Sequence, residues 1–586
     1  MPILKMKTQI ISRKETSGSA LVLVMIMSAI ALAILASIMT WSASSARLTN
    51  RSIQYTRSVS AAEAATEKVI TQINHDFLYG GERLVTDNLN TYRQNTVPTA
   101  ADSAYWNTWQ FNDASGNIGQ TFVQRTPGNS YTVLGGSYAK LKGYISTYTV
   151  TSHATDTAAN QDVMGGVSQE LQLAGIPIFQ FAMYSAGNME ISCGQNFDIT
   201  GPVHSNKELY VEPDANLTFE SLVHAVIGIH DKQRDPLDPR GSPSRGFVFY
   251  VDEADKMAPF APLNLPIGTT STPEMIREII EPPPLGEDPN SPLGRLRYYN
   301  EVDMILTVSD NGVIGTSGRF NGFSTVITNA ELALFVNTNN TFIDNREGKT
   351  VLPVDLDIGQ LNTWSQTNNN LRLALGGAKL SSLYVVDNRT IPSSGLAAVR
   401  VTNGKFLPSS GLTVATGRPL YVQGDYNAPD ANLGTSNTVG TMPASLVADA
   451  ITILSDAWKD GTTGPGIGPP GAAPTTVNAA LLTGVVETTS AHYSGGMENF
   501  PRFLETWGAA NIFTYNGSMV KMFPSLYATG PWGLDNVYDP PKRNWAYDLN
   551  FDDPTKLPPK TPSLLTVIRH RWLTVPPGTN SVAESP

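Results

Sequence analysis

The chain of 586 residues carries 40 lysines and arginines against 51 aspartates and glutamates, a formal net charge of -11 at pH 7. This acidic balance excludes nucleic-acid binding by bulk electrostatic attraction, because no excess of basic side chains is available to displace phosphate counterions. With 49 glycines, 40 prolines and 16% charged residues, the composition favours strands and turns, and the single cysteine excludes an internal disulfide.

A short basic leader precedes an uncharged apolar segment. Residues 1–18 contain four lysines and arginines against the single acid Glu15, and residues 20–41 contain neither a charge nor a proline. About 22 residues at about 1.5 Å each are enough to cross a hydrocarbon core of about 30 Å. Because basic flanks stay on the cytoplasmic side, we predict a transmembrane helix with a cytoplasmic N-terminus and an extracytoplasmic C-terminal part.

A helical pattern continues directly from the apolar segment. The positions that recur at spacings of three, four or seven residues are Leu48, Tyr55, Val59, Ala62, Thr66, Val69, Ile73 and Phe77. Such spacing places them on one stripe of a helix, which Gly80 and Gly81 should end. We therefore predict one helix over residues 19–80, half transmembrane and half amphipathic stalk, whose stripe needs a partner surface.

The flanks of this helix carry a resemblance to a known family. The leader ends in Gly18, the apolar helix follows at once, and the sequence Ser60-Ala-Ala-Glu-Ala-Ala65 lies in its amphipathic continuation. Together these features resemble the N-terminus of PilX-type minor pilins of type IV pilus systems over residues 1–80, and weakly over 81–175. The alternative is an ordinary signal-anchored membrane protein with a stalk.

The resemblance implies a processing site and a mode of assembly. A prepilin peptidase would cut after Gly18 and leave Ser19 as the mature N-terminus. The apolar helix would lie in the inner membrane and then pack against other pilin-like subunits in a filament. Major pilins carry a glutamate at the fifth mature position, where this chain has Leu23. That difference implies a minor, tip or accessory component.

Residues 81–178 show the alternation of an antiparallel sheet with one solvated face. Apolar, Thr and Tyr residues alternate at period two over 120–125, 130–134, 143–152 and 167–173. We predict a pilin-like β region here. Its sheet would pack on the outer half of the helix and cover the apolar stripe.

Residues 179–425 contain two sets of short strands separated by turn residues. The first set lies at 189–191, 197–199, 202–204 and 209–211, and the second at 380–386, 399–402, 411–415 and 419–423. Short strands that recur every six to eight residues are typical of a β-solenoid, and the two sets could belong to one stack. A β-sandwich with long loops is the alternative. Prolines crowd residues 236–292, which we interpret as an insertion.

Residues 426–586 are predicted to form a mixed C-terminal region. Turn-rich segments flank short apolar pieces, and a helix is predicted at 498–507. The last sixty residues are rich in proline and aromatic side chains. Such a tail usually lies across a domain surface, anchored by its rings.

No motif for nucleophilic, phosphate-binding or metal chemistry stands out. The spacing of Cys193, His204, His224 and His230 matches no compact zinc pattern, and Cys193 is interpreted as a small buried side chain. The glycines of residues 464–468 lack the strand, loop and helix context of a dinucleotide site. We therefore expect no catalytic residue, cofactor or metal ligand, and the candidate site is the Gly18–Ser19 bond.

These observations predict an α+β protein: a long membrane-spanning helix, then a large mainly-β ectodomain with a pilin-like sheet and solenoid or sandwich coils. The expected function is structural, as a pilus or pseudopilus component in the cell envelope. Its expected partners are the inner membrane, pilin-like subunits, a prepilin peptidase and a surface or glycan ligand. The alternative is a signal-anchored β-helix enzyme or carbohydrate-binding protein, which should show clustered acidic or basic side chains on adjacent coils.

Overall fold

The computed structural model describes residues 19–113, 115–159, 162–232, 246–317, 325–489, 492–533 and 537–577. The predicted leader at 1–18, including Gly18, and residues 236–245 of the predicted proline-rich insertion lie outside the described residues. Within them, a long apolar N-terminal helix precedes a large mainly-β region, as predicted.

The first helix has a kink at Gly81 and continues as helix beyond it to Asp87, so it contains more residues than predicted. The helices are α1 (Ser19–Asp87), α2 (Leu89–Asn95), α3 (Pro273–Ile276), α4 (Tyr298–Glu301), α5 (Asn329–Leu332), α6 (Ile358–Thr367) and α7 (Asn369–Ala374). In α1, Gly81 leaves helical geometry with φ 76° and ψ -174°. This left-handed φ suits glycine, so the straight stalk ends where the sequence predicted, and a short second segment follows.

An antiparallel sheet packs against the stalk. Its strands are β1 (Trp109–Asn112), β2 (Phe122–Arg125), β3 (Ser130–Val133), β4 (Lys142–Asp156), β5 (Met164–Pro177) and β34 (Ser563–Val575). The order is β1-β4-β5-β34, and β2 and β3 also pair with β4. The end of the predicted C-terminal tail is therefore a strand of the N-terminal sheet.

The remaining chain is inserted between two neighbouring strands of this sheet. Pro177, the last residue of β5, lies opposite Ser563, the first residue of β34. The intervening residues therefore leave and re-enter the sheet at the same end.

Short parallel strands dominate the inserted region. The first group comprises β6 (Met183–Ser185), β7 (Met189–Ile191), β8 (Phe197–Ile199), β9 (Val203–Ser205), β10 (Glu208–Val211), β11 (Leu217–Phe219), β12 (Val223–Ala225), β13 (Gly228–His230), β14 (Val248–Tyr250) and β15 (Lys256–Met257). Their register partners Met183, Val203 and Val223 follow one another at 20-residue steps. Each step carries three strands, which pair in three separate parallel ladders.

The second group has longer connections between its strands. It comprises β16 (Met304–Ser309), β17 (Gly312–Ser317), β18 (Thr325–Ile327), β19 (Val336–Asn337), β20 (Phe342–Asp344), β21 (Lys349–Asp357), β22 (Ser382–Asp387), β23 (Gly395–Thr402), β24 (Leu412–Thr416), β25 (Leu420–Gln423), β26 (Ala444–Ala448), β27 (Ile451–Leu454), β28 (Thr475–Asn478), β29 (Ala480–Gly484), β30 (Arg502–Phe503), β31 (Ile512–Gly517), β32 (Met519–Phe523) and β33 (Lys542–Tyr547). The ladders β22-β24-β26-β29-β32 and β23-β25-β27-β30 are parallel and cross the predicted boundary at 425/426.

The two groups of strands share one sheet. Met519 of β32 pairs in parallel with Met183 of β6, which joins them in a 12-stranded sheet running from β15 to β18. At the β18 end, β16, β17 and β18 pair antiparallel.

Inside the second group, the buried Asn427, Asn478 and Asn516 form a hydrogen-bonded ladder, with Asn516 Nδ2 donating to Asn478 Oδ1 at 2.7 Å.

The prediction of a helix at residues 498–507 is wrong. The structure has a 3-10 turn at Met497–Asn499, and Arg502–Phe503 is strand β30, paired in parallel with β27. Phe500 still has helical geometry, with φ -60° and ψ -47°, but Pro501 has no N–H group to continue the helical hydrogen bonds, and the chain becomes extended at β30.

Candidate membrane and assembly segment

The first half of α1 projects from the rest of the protein. From Ser19 to Arg57 every side chain is exposed except that of Gln54, including Trp41 at 73% and Leu48 at 69%. These residues span about 58 Å at the helical rise of about 1.5 Å per residue. Among the described residues, α1 is long and apolar enough to cross a membrane.

The second half of α1 packs on the antiparallel sheet. Its buried residues are Ser58, Ala61, Ala62, Ala65, Thr66, Val69, Ile70, Ile73, Asp76, Phe77, Gly80 and Val85. The predicted stripe is therefore buried or half-buried from Val59 onward, whereas Leu48 and Tyr55 are exposed. The reason is the length of the sheet: β5 begins at Met164, and Ser58 Oγ donates to the carbonyl oxygen of Val163 at 2.7 Å, at the level where burial starts.

A glycine allows the helix to approach the sheet closely. A Cβ atom on Gly165 would lie 2.5 Å from the backbone nitrogen of Val59 and 2.8 Å from the carbonyl carbon of Ser58. Such distances are shorter than van der Waals contact, so any side chain at this position pushes β5 and the helix apart.

Polar side chains hold the C-terminal end of the stalk, around Asp76, in place. Asp76 accepts hydrogen bonds from Tyr92 Oη at 2.6 Å and Asn88 Nδ2 at 2.8 Å. Burial opposes ionisation of Asp76, but these hydrogen bonds outweigh it and hold the pKa of the carboxyl below its usual range. The carboxylate therefore ties α1 to the following helix.

The C-terminal strand also holds the stalk. Glu67 forms an ion pair with Arg569 of β34, and Gln169 of β5 donates to Glu67 Oε1 at 2.9 Å. The sequence prediction missed this strand as a partner of the stalk. Its alternation of Leu564, Thr566 and Ile568 was a visible signal.

The inserted region reaches back to the end of the stalk. Gly268 N donates to the carbonyl oxygen of Tyr79 at 2.8 Å, and Arg295 Nη2 donates to that of Gly80 at 3.1 Å. These bonds satisfy carbonyls that a helix end leaves without intrahelical partners. The stalk is therefore hydrogen-bonded to the inserted region as well as to the sheet.

The candidate cleavage site lies at the edge of the described chain. Ser19 begins α1 and is exposed, and Gly18 lies outside the described residues. Leu23 is exposed at 65%, and residues 19–41 contain no titratable side chain. Residues 19–41 of α1 therefore offer an apolar surface without a carboxylate.

The four candidate metal ligands considered from the sequence do not meet. His204 and His224 are buried neighbours on β9 and β12, with ring centroids 6.3 Å apart. His230 lies on another ladder and pairs with Glu208 at 2.6 Å, while Cys193 is buried and free. In the part of the chain that the structure describes, no three His, Cys, Asp or Glu side chains are grouped to hold a metal ion.

Burial keeps His204 and His224 neutral. It lowers the pKa of His204 to about 3 and that of His224 to about 4. The Nε2 of His204 donates to Asn206 Oδ1 at 2.8 Å, whereas neither ring nitrogen of His224 has a hydrogen-bond partner. The ring of His224 instead stacks on Phe260 at 3.9 Å.

Replacing His224 with phenylalanine should make the protein less sensitive to acid. A histidine whose folded pKa is depressed leaves stability intact above its unfolded value near 6.5, and stability is lost as the pH falls toward 4. We compare the free energy of unfolding of His224→Phe with that of wild type. The difference in favour of the variant should be larger at pH 5 than at pH 7.5 by about 2 kcal/mol. Urea unfolding at both pH values measures this difference, with the exposed His570→Phe as control. An equal gain at both pH values would contradict it.

Comparisons with known proteins give a limited result. No family model and no curated protein matches the chain. Among solved structures, it is similar to the crystal structure of the competence-associated pilin ComZ from Thermus thermophilus, at 10% sequence identity and a TM-score of 0.26. The match covers 88% of this chain and 97% of that one. At this TM-score the similarity assigns no function, so the proposals below rest on the residues of this chain.

Proposed function

We propose that this chain is a minor, tip or accessory subunit of a type IV pilus or pseudopilus-like system, of the PilX type, which displays a large β-solenoid. The observation that carries the proposal is the division of α1. Its apolar first half is exposed from Ser19 onward, and its second half packs on an antiparallel sheet from Ser58 onward. An exposed apolar surface of this length needs lipid or other apolar helices around it.

The parallel ladders support a solenoid as the displayed part. In the first group, three strands recur in each 20-residue coil and pair with the same strands of the next coil. Apolar side chains point into the coil, as in β8, where Phe197 and Ile199 are buried and Asp198 is exposed. Such stacking buries a continuous core between neighbouring coils.

Leu23 supports an accessory role. A carboxylate in an apolar helix bundle needs a partner such as the N-terminal amine of a neighbour. Leu23 cannot form that pair, so this helix enters a bundle by apolar packing alone. The size of the inserted region also favours a subunit present in few copies, since closely repeated subunits would clash.

The proposed topology is a single membrane pass with the β region outside the cytoplasm. Basic residues precede the apolar segment, and Trp41 lies at its other end, where aromatic side chains favour the membrane interface. We propose no catalytic activity, cofactor or bound metal. The role in the envelope is then assembly and display, and a surface or glycan ligand is the proposed partner of the β region.

Mapping the N-terminus of the native protein tests the proposed processing. In a host with an active prepilin peptidase, mass spectrometry should find Ser19 as the first residue, and a Gly18→Asp variant or a peptidase-deficient host should give the uncut chain. An intact leader in the competent host, or a cut beyond Trp41, would contradict the pilin proposal.

Cysteine cross-linking tests assembly, because Cys193 is buried and leaves the surface free of thiols among the described residues. A Leu23→Cys variant should cross-link to pilin-like subunits carrying a cysteine in their own apolar helices. Val439→Cys, at a position of the β region that is 80% exposed against 65% for Leu23, is the control. Equal cross-linking at both positions would argue against packing through the helix.

A further inference from the structure

The three parallel ladders of the first strand group end together. Their last strands are β13, β14 and β15, and each pairs with one preceding strand, β10, β11 and β12 respectively. Among the described residues, no strand pairs with the outer edges of these three strands. A free strand edge presents N–H and C=O groups that can pair with another strand.

The apolar core is also incompletely covered at this end. Val248 and Tyr250 of β14 are half-buried. Their register partners in β11, Leu217 and Phe219, are 0% and 1% exposed. The two pairs occupy equivalent positions and differ in whether a further strand follows, so the last strand leaves part of the core in contact with water.

The outward face of β14 is apolar, unlike that of the strand before it. Phe247, Phe249 and Val251 are exposed at 71%, 49% and 70%. In the register of the ladder, the matching positions one strand earlier are polar: Asn216, Thr218 and Glu220. Residues 246–251 contain no charge and no proline. An edge strand that is apolar on both faces is a site at which another chain binds.

The backbone of β14 has one free side. The carbonyl oxygen of Phe247 accepts from Leu217 N at 2.9 Å, so Phe247 and, two residues later, Phe249 direct their peptide groups toward β11. Successive residues of a strand direct these groups to opposite sides. The N–H and C=O groups of Val248 and Tyr250 therefore point to the open edge.

We propose that β14 pairs antiparallel with β14 of a second copy of this chain, about a two-fold axis at Phe249. Val248 then lies opposite Tyr250 of the second copy, and their free N–H and C=O groups bond to each other. Phe249 lies opposite Phe249 and Phe247 opposite Val251, in pairs without hydrogen bonds whose Cα atoms are about 4.5 Å apart. Each exposed apolar side chain of the strand meets another, and no like charges are opposed.

The complementarity of the strand to itself favours a second copy over a different protein. Phe247 and Val251 stand at equal distances on either side of Phe249, and the two residues with free backbone groups flank it. Because both copies use the same edge, the pairing closes as a dimer and leaves that edge occupied. Such a dimer joins two copies through their inserted regions, which goes beyond the proposed function and does not require α1 to enter a filament.

Sedimentation velocity of the full-length protein in detergent tests the pairing. Wild type should contain two chains per particle and dissociate on dilution. Phe249→Lys opposes two like charges and should weaken the dimer at least about tenfold. Val439→Lys, at another exposed apolar position, should leave the dimer unchanged. The urea midpoint of Phe249→Lys should equal that of wild type, because the Phe249 side chain points outward.

Three results would overturn the proposal. The first is a wild-type protein that is monomeric at every concentration. The second is a dimer of undiminished affinity in Phe249→Lys, which would indicate association through α1, since α1 is the same in every variant. The third is a monomeric wild type from which Phe249→Lys differs by a lower urea midpoint, which would show that the same chain covers the strand.

Disulfide formation tests the register, because Cys193 is buried. Phe249→Cys should form a disulfide between two copies, since opposed Cα atoms about 4.5 Å apart are within disulfide range. A mixture of Phe247→Cys and Val251→Cys should cross-link at least about tenfold faster than either variant alone, because only the mixed pair is opposed. Equal rates for the mixture and the single variants would contradict antiparallel pairing about Phe249.

Discussion

Replacing Asp449 with alanine should destabilise the β region by about 3 to 5 kcal/mol, the loss expected when one partner of a buried ion pair is removed. Asp449 is fully buried between β26 and β27 and accepts from Arg277 Nη1 at 2.7 Å. It also accepts from Ser525 Oγ and from the backbone nitrogens of Leu526, Tyr527 and Ala528. Alanine leaves the hydroxyl and backbone donors without this acceptor, and the buried Arg277 then keeps only Glu281 as an acidic partner.

Denaturant unfolding followed by tryptophan fluorescence measures this loss. The matched control is Asp430→Ala, which breaks an ion pair with Lys405 at a side chain that is 84% exposed and should change the stability by less than about 1 kcal/mol. Asp449→Asn keeps the shape and one acceptor, so it should fall between the two. Equal midpoints for Asp449→Ala and Asp430→Ala would show that the buried pair contributes nothing to stability.

A valine at Gly165 should loosen the stalk from the sheet. The atoms that its Cβ would meet are backbone atoms of α1 at Ser58 and Val59, and backbone cannot rotate away as a side chain can. Overpacking of this kind costs about 1 to 3 kcal/mol. We therefore expect local separation of α1 from β5, while the coils remain folded.

Limited trypsin digestion measures the separation at Lys68. In the packed stalk, Lys68 Nζ is bonded to the carbonyl oxygen of Val97 at 3.1 Å and to Asp102 at 2.7 Å. Cleavage after Lys68 should become at least about tenfold faster in Gly165→Val, because cleavage requires local opening. Gly194→Val is the control, since a Cβ on Gly194 has no atom within 4 Å. The same cleavage rate in both variants would contradict close packing at Gly165.

The stalk was the most predictable part of the fold because its signals are local. An uncharged segment, a stripe at helical spacing and a glycine that adopts a left-handed φ all act within a few residues of one another. The sequence could not predict where the stripe becomes covered. Leu48 and Val59 occupy equivalent positions on the stripe, and only the extent of β5 leaves one exposed and partly buries the other.

The positions of the individual short strands in the inserted region were predictable, but the partner of each strand was not. Alternating apolar residues marked the short strands, and the 20-residue steps from Met183 to Val203 and Val223 were present in the sequence although the prediction noted only the shorter spacing. The pairing of β6 with β32 joins residues more than 300 positions apart. No local pattern specifies such a partner, since every short parallel strand offers similar backbone groups.

The candidate site and the packing of the stalk divide in the same way. The Gly18–Ser19 bond follows from neighbouring residues, whereas Gln169 of β5 and Arg569 of β34 come from separated segments and both contact Glu67 of the stalk. Each of these residues alone looks like an ordinary surface side chain in the sequence. Their meeting depends on β34 returning to the sheet beside β5.

The sequence by itself determined an apolar helix at the N-terminus, its amphipathic continuation and the β character of the rest, because composition and periodicity act through the chain's own neighbours. Only the tertiary structure decided that β34 returns to the first sheet beside β5, and that one sheet joins both groups of short strands. These features depend on contacts between distant segments, and their energies come from burial and pairing that exist only once the chain has folded.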